Sequence, residues 1–112
     1  MSRFDGVVGW ALAVLGVVHC AFTFRAYKSA SDGALWFFAA GLALVYAGLL
    51  NVLRAEYRRP GIRQASIFAN LSLLGFALVY VGRHPLRSSQ DPASWALMVL
   101  LFLATLLSLR GK

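Results

Sequence analysis

Four apolar stretches, from about Gly6 to Phe24, Ala34 to Leu53, Gln64 to Val81 and Pro92 to Leu109, limit what this chain can become. Each is about as long as a helix needs to be, at about 1.5 Å rise per residue, to cross a hydrocarbon core about 30 Å thick. Hydrophobic residues make up 60% of 112 positions, with a mean hydropathy of +0.70, which is more apolar surface than a soluble domain of this size can bury. The solvent is therefore lipid. The expected fold is an all-α integral-membrane bundle of four transmembrane helices, one domain over residues 1–112.

The formal charge is +7, and Lys and Arg are confined to the ends and connectors of the apolar runs. That distribution is the signature of a bilayer partner and argues against nucleic acid. One Cys excludes an internal disulfide. With only two His beside it, Cys and His cannot by themselves make a closed four-ligand structural zinc site, and no cofactor is expected. The first stretch, Arg3 followed by an apolar run to His19-Cys20, has the outline of a lipoprotein signal. His19 is unsuitable immediately before the acceptor Cys, and three further spans follow, so the segment is expected to remain as a mature helix.

The connector Lys28-Ser-Ala-Ser-Asp-Gly-Ala-Leu-Trp36 returns 59 residues later as Arg87-Ser-Ser-Gln-Asp-Pro-Ala-Ser-Trp95. At the same offset Leu12, Leu15 and Gly16 fall on Leu71, Leu74 and Gly75. These matches predict two tandem helical hairpins, about 6–53 and 64–110, joined by a connector over 54–63. With two spans per unit, both copies have the same orientation, a parallel pseudo-repeat about the membrane normal. Asp32 and Asp91 are each placed to cap a helix start, and Trp36 and Trp95 lie one turn in, where an interfacial indole suits the headgroup level.

Small residues mark the expected contacts. Gly6, Gly9, Ala13, Gly16 and Cys20 form a close-packing row on the first helix. On the second, Ala40, Ala43, Ala47 and Asn51 make one small face and Gly41 and Gly48 another. Ala65, Ala69, Ser72 and Gly75 make a third on the next helix. The fourth span is Leu-rich and expected to face lipid more than the others. Pro60-Gly61 is expected to break the chain between halves, with Gly82 and Pro85 ending the third helix. With both termini cytoplasmic, seven cations lie inside (Arg3, Arg54, Arg58, Arg59, Arg63, Arg110 and Lys112) against four outside (Arg25, Lys28, Arg83 and Arg87). The count predicts N-in, C-in topology, and the expected location is a bacterial-type inner membrane.

Polar residues found in only one half are the candidates for specialised roles. His19 stands opposite Leu78, Tyr80 opposite Ala21, Asn70 opposite Ala11 and Asn51 opposite Arg110. Ser66, Asn70, Leu73, Ala77, Tyr80 and His84 recur at spacings of three and four, a polar column on one helix face. The expected ligand-binding set is His19, Tyr80, Asn70, His84, Trp36 and Trp95, with His19 and Tyr80 in an outward-opening aromatic pocket and His84, Arg83 and Arg87 at its rim. Cys20 is not placed to be activated by His19, because adjacent helical residues point about 100° apart.

Length and span count are those of small multidrug-resistance transporters, but those couple protons through a glutamate embedded in the first helix, and the sole Glu here is Glu56 in a connector. The expected role is non-catalytic: binding a hydrophobic small molecule or lipid, or serving as a subunit of a larger membrane assembly or homo-oligomer. A small transporter is the second class. A membrane-embedded enzyme using His19 and Tyr80 is the third.

Overall fold

The apolar stretches fold into helices, the first three extending beyond them at both ends and the fourth by one residue at its C-terminus. The computed structural model describes residues 2–110, so Lys112, counted among the cations above, lies outside the described residues. Helix α1 runs Ser2–Ala26, α2 Asp32–Tyr57, α3 Pro60–Arg83, a one-turn α4 Pro85–Ser89, and α5 Pro92–Arg110. All four long helices are long and apolar enough to cross a membrane. The molecule measures 43 × 26 × 20 Å, its long axis exceeding a hydrocarbon core of about 30 Å.

Helices α1 and α2 pack antiparallel with their backbones in contact. A Cβ built on Gly16 would lie 2.6 Å from the Gly41 carbonyl oxygen and 2.6 Å from the Val45 nitrogen. One on Gly9 would meet the Val52 nitrogen at 2.8 Å, one on Gly41 the Cys20 sulfur at 2.6 Å, and one on Gly48 the Gly9 carbonyl at 2.6 Å as well as the Ala13 nitrogen. Only hydrogen fits at these four positions. The predicted row is real from Gly9 to Cys20, but Gly6 is outside it, with nothing within 4 Å of its would-be Cβ. Gly41 and Gly48 carry the α2 side of the seam, leaving Ala47 and Asn51 to turn inward and Ala40 to remain exposed.

Helix α3 packs on α2 and α5, and α5 also packs on α1, which closes the ring of four. The apolar centre holds Val8 and Leu12 of α1, Leu44 of α2, Ala77 of α3, and Leu101, Ala104 and Leu107 of α5. Two expectations are reversed here. Within its central window α3 is 17% buried and α5 28%, so α3 and not the Leu-rich α5 is the helix most open to its surroundings. The small face of α3 is largely open: Ala69 is half-buried, but Ala65, Ser72 and Gly75 are exposed, and nothing lies within 4 Å of a Cβ on Gly75.

The breaks between helices are tighter than their sequences predict. Between α2 and α3 only Arg58 and Arg59 are non-helical, Arg58 taking the left-handed conformation (φ 53°) with its N–H bonded to the Arg54 carbonyl. Pro60 begins α3 rather than breaking it, since the first position of a helix needs no N–H donor. Ser31, not Asp32, caps α2, its hydroxyl accepting the Ala34 N–H at 3.1 Å. Asp91 does cap α5, accepting from the Ala93 N–H at 3.0 Å and the Ser94 hydroxyl at 3.3 Å. Helix α3 runs through Gly82 to Arg83, and Pro85 opens α4.

Candidate functional site

The buried side chains Asn51, Arg54, Asn70 and Ser108 lie on one connected path in the half that carries the termini. Asp5, one turn into α1, receives both terminal nitrogens of Arg54 near the end of α2, at 2.7 and 2.6 Å. The same guanidinium reaches the Asn51 side-chain oxygen at 2.9 Å. Asn51 and Asn70 then exchange bonds: the Asn51 amide nitrogen donates to Asn70 at 2.8 Å, and the Asn70 nitrogen donates back at 2.9 Å. From Asn70 the path continues to the Ala104 carbonyl at 3.1 Å and the Ser108 hydroxyl at 3.3 Å on α5.

All four long helices contribute to this path. Asn51 and Asn70 have no exposed surface, and Arg54 only 5%. A buried guanidinium is tolerable only beside an opposite charge, and the two-pronged contact with Asp5 supplies it. Arg63 extends the theme at the end of the bundle, donating to the Ser108 and Leu109 carbonyls at 3.1 and 2.9 Å, a cation on the otherwise unpaired C-terminal carbonyls of α5. Ser66 donates to the Leu50 carbonyl at 3.1 Å, tying α3 to α2 a turn away.

The predicted site residues are scattered by comparison. Asn70 is the centre of the interhelical path and closed to ligands. His19 stacks on Phe37 of α2, ring centres 3.9 Å apart and nearly parallel, and its buried Nε2 has no hydrogen-bond partner among the described residues. Tyr80 pairs instead with His84, centres 4.9 Å apart, and is 47% exposed. The two members of the expected pocket thus have different ring partners. Trp36 is 75% exposed on the outer surface, whereas Trp95 folds back so that its indole N–H donates to the Ser89 carbonyl at 2.9 Å, fastening α4 to the start of α5.

A groove of about 320 Å³ lies at the connector end, between the last turns of α1 and the first turns of α2. Its lining is mainly apolar, Phe24, Tyr27, Ala30, Ala34, Leu35 and Phe38, and includes Thr23, Lys28 and Ser29. None of the six predicted ligand residues lines it. Among the described residues no three His, Cys, Asp or Glu side chains are grouped to share a metal ion.

Sequence reasoning passed over Asp5 and counted Arg54 only as a loop cation. The spacing of Ala47, Asn51 and Arg54, four then three, puts Arg54 on the inward face of α2, and that was the available signal. Comparison with protein families, curated proteins and solved structures returned no match.

Proposed function

We propose that this is a non-catalytic integral-membrane protein that holds a lipid or hydrophobic small molecule at its connector end. The groove between α1 and α2 carries this reading: its volume reaches the lower range of small-ligand sites, and it pairs aromatic and aliphatic walls with few polar groups. The buried amides and the buried ion pair are spent on one another, which favours a structural use for them over chemistry. The Lys/Arg distribution supports both termini and the Arg58-Arg59 connector being cytoplasmic in a bacterial-type inner membrane, with the groove toward the opposite leaflet. External labelling of a cysteine at Glu56, in a Cys20→Ser background, would reverse that orientation.

Native mass spectrometry after mild detergent extraction tests the binding reading. The parent is expected to retain an apolar species that Ala30→Trp, which fills the groove from an exposed position, releases. Equal retention by both ends the reading. Retention lost with His19→Leu but kept with Ala30→Trp would move the ligand to the His19–Phe37 wall. A second reading, a subunit of a larger membrane assembly, is favoured by the open small face of α3 around Ser72 and Gly75, and the stoichiometry in the same spectra decides it.

A further inference from the structure

We infer that the groove between α1 and α2 takes an anionic phospholipid, with one acyl chain against Phe24, Leu35 and Phe38 and the phosphate at Lys28. The inference rests on the binding reading above and names the class of ligand. The groove lies where α1 ends and α2 begins, the level at which hydrocarbon gives way to headgroups. Its lining is mainly apolar and includes one cation, the exposed Lys28. A purely apolar molecule gains nothing from Lys28, and a free anion gains nothing from the aromatic walls. A molecule with a negative head and an apolar tail at adjacent depths uses both.

Charge at this end points the same way. Arg25, Lys28, Arg83 and Arg87 are all exposed here, against Asp32 and Asp91, and the Asp91 carboxylate is occupied in capping α5. Asp32, exposed at the start of α2, is the single carboxylate on the connector beside the groove. Ser29 adds a hydroxyl beside Lys28.

The test offers the purified full chain equal amounts of phosphatidylglycerol and phosphatidylcholine with identical acyl chains and reads the lipid bound by native mass spectrometry. The parent is expected to favour phosphatidylglycerol about fivefold, the contribution of one basic residue near an anionic headgroup. Lys28→Gln should abolish the preference, and Arg87→Gln, which removes the same charge from the other connector, should keep it. Loss of preference in both variants would assign it to the general field of the surface and overturn the inference. Equal binding of the two lipids by the parent, both reduced by Ala30→Trp, would leave the groove as a lipid site and remove the anionic class. If Ala30→Trp binds both lipids as the parent does, the groove is not the site and both readings fall. Phe24→Ala, which strips one wall from a 78% exposed position, replaces Ala30→Trp should that variant fail to fold, and is likewise expected to weaken both lipids.

Discussion

Gly16 and Gly75 fall on one another at the 59-residue offset that aligns the two connectors, yet they do opposite things. At Gly16 the backbone of α2 fills the space where a side chain would begin, and at Gly75 that space is empty to 4 Å. Gly75 sits on the exposed side of α3, away from the buried Ser66, Asn70 and Ala77, whereas Gly16 faces α2. Opposite Gly16, α2 supplies Gly41, and a second glycine follows at Gly48. At the same offset α5 carries Leu100 and Leu107, the latter packed into the core. A small residue permits close approach only when the facing surface is also small. The first hairpin is therefore held by backbone contact, and α3 is held to the rest by the amide path and by leucines.

That contrast can be broken experimentally. The largest effect is expected from Gly16→Leu, about 3 kcal/mol or more of lost stability, because the new side chain must separate two backbones already in contact. Thermal unfolding in detergent would measure it, and a loss no greater than that of an α3 surface variant would dismiss the seam. Next is Asp5→Asn. Breaking a buried ion pair costs about 3–5 kcal/mol, and a loss of about 2 kcal/mol is expected here because Asp5 retains contact with solvent. Its side chain is 14% exposed. An unchanged melting temperature would mean that Arg54 finds another partner.

Asn51→Leu and Asn70→Leu should each cost about 1 kcal/mol, and the double variant should fall short of their sum by about 0.6–1.7 kcal/mol, as for hydrogen bonds between membrane helices. Strict additivity would show that the two amides do not depend on each other. The smallest effect, within about 0.5 kcal/mol, is expected of Gly75→Leu. A large loss there, seen only at concentrations where the protein self-associates, would instead reveal that the open face of α3 is covered in the assembled form.

The helices were legible because a run of about 20 apolar residues in lipid leaves the backbone little alternative to bonding with itself. The inward face of α3 was legible for a similar reason, since Ser66, Asn70 and Ala77 repeat with the helical period and all three are buried. What the sequence did not disclose was which small face meets a partner. Ala65, Ala69 and Ser72 have the same spacing, four then three, as Gly9, Ala13 and Gly16, and which row meets a partner is decided by how each helix is turned in the bundle, the buried Ser66, Asn70 and Ala77 turning this row of α3 outward. The site residues were harder still. Periodicity locates Asn70 on a face, but whether its amide meets a ligand or Asn51 depends on the rotation of α2, which the glycine seam with α1 determines.

The reciprocal exchange between Asn51 and Asn70 has a bearing on how deep the later helices sit. Shifting the register of α3 by one residue, so that a neighbour takes the place of Asn70 against α2, would move Asn70 by about 1.5 Å and swing it by about 100°, parting both bonds together. The pair therefore works as a depth gauge with one permitted reading, and α5, reached from the same amide at Ala104 and Ser108, inherits that reading. The vertical position of the second half of the chain is thus measured from inside the bilayer, at an amide on α2, and the two arginines linking α2 to α3 need only be long enough to let it settle.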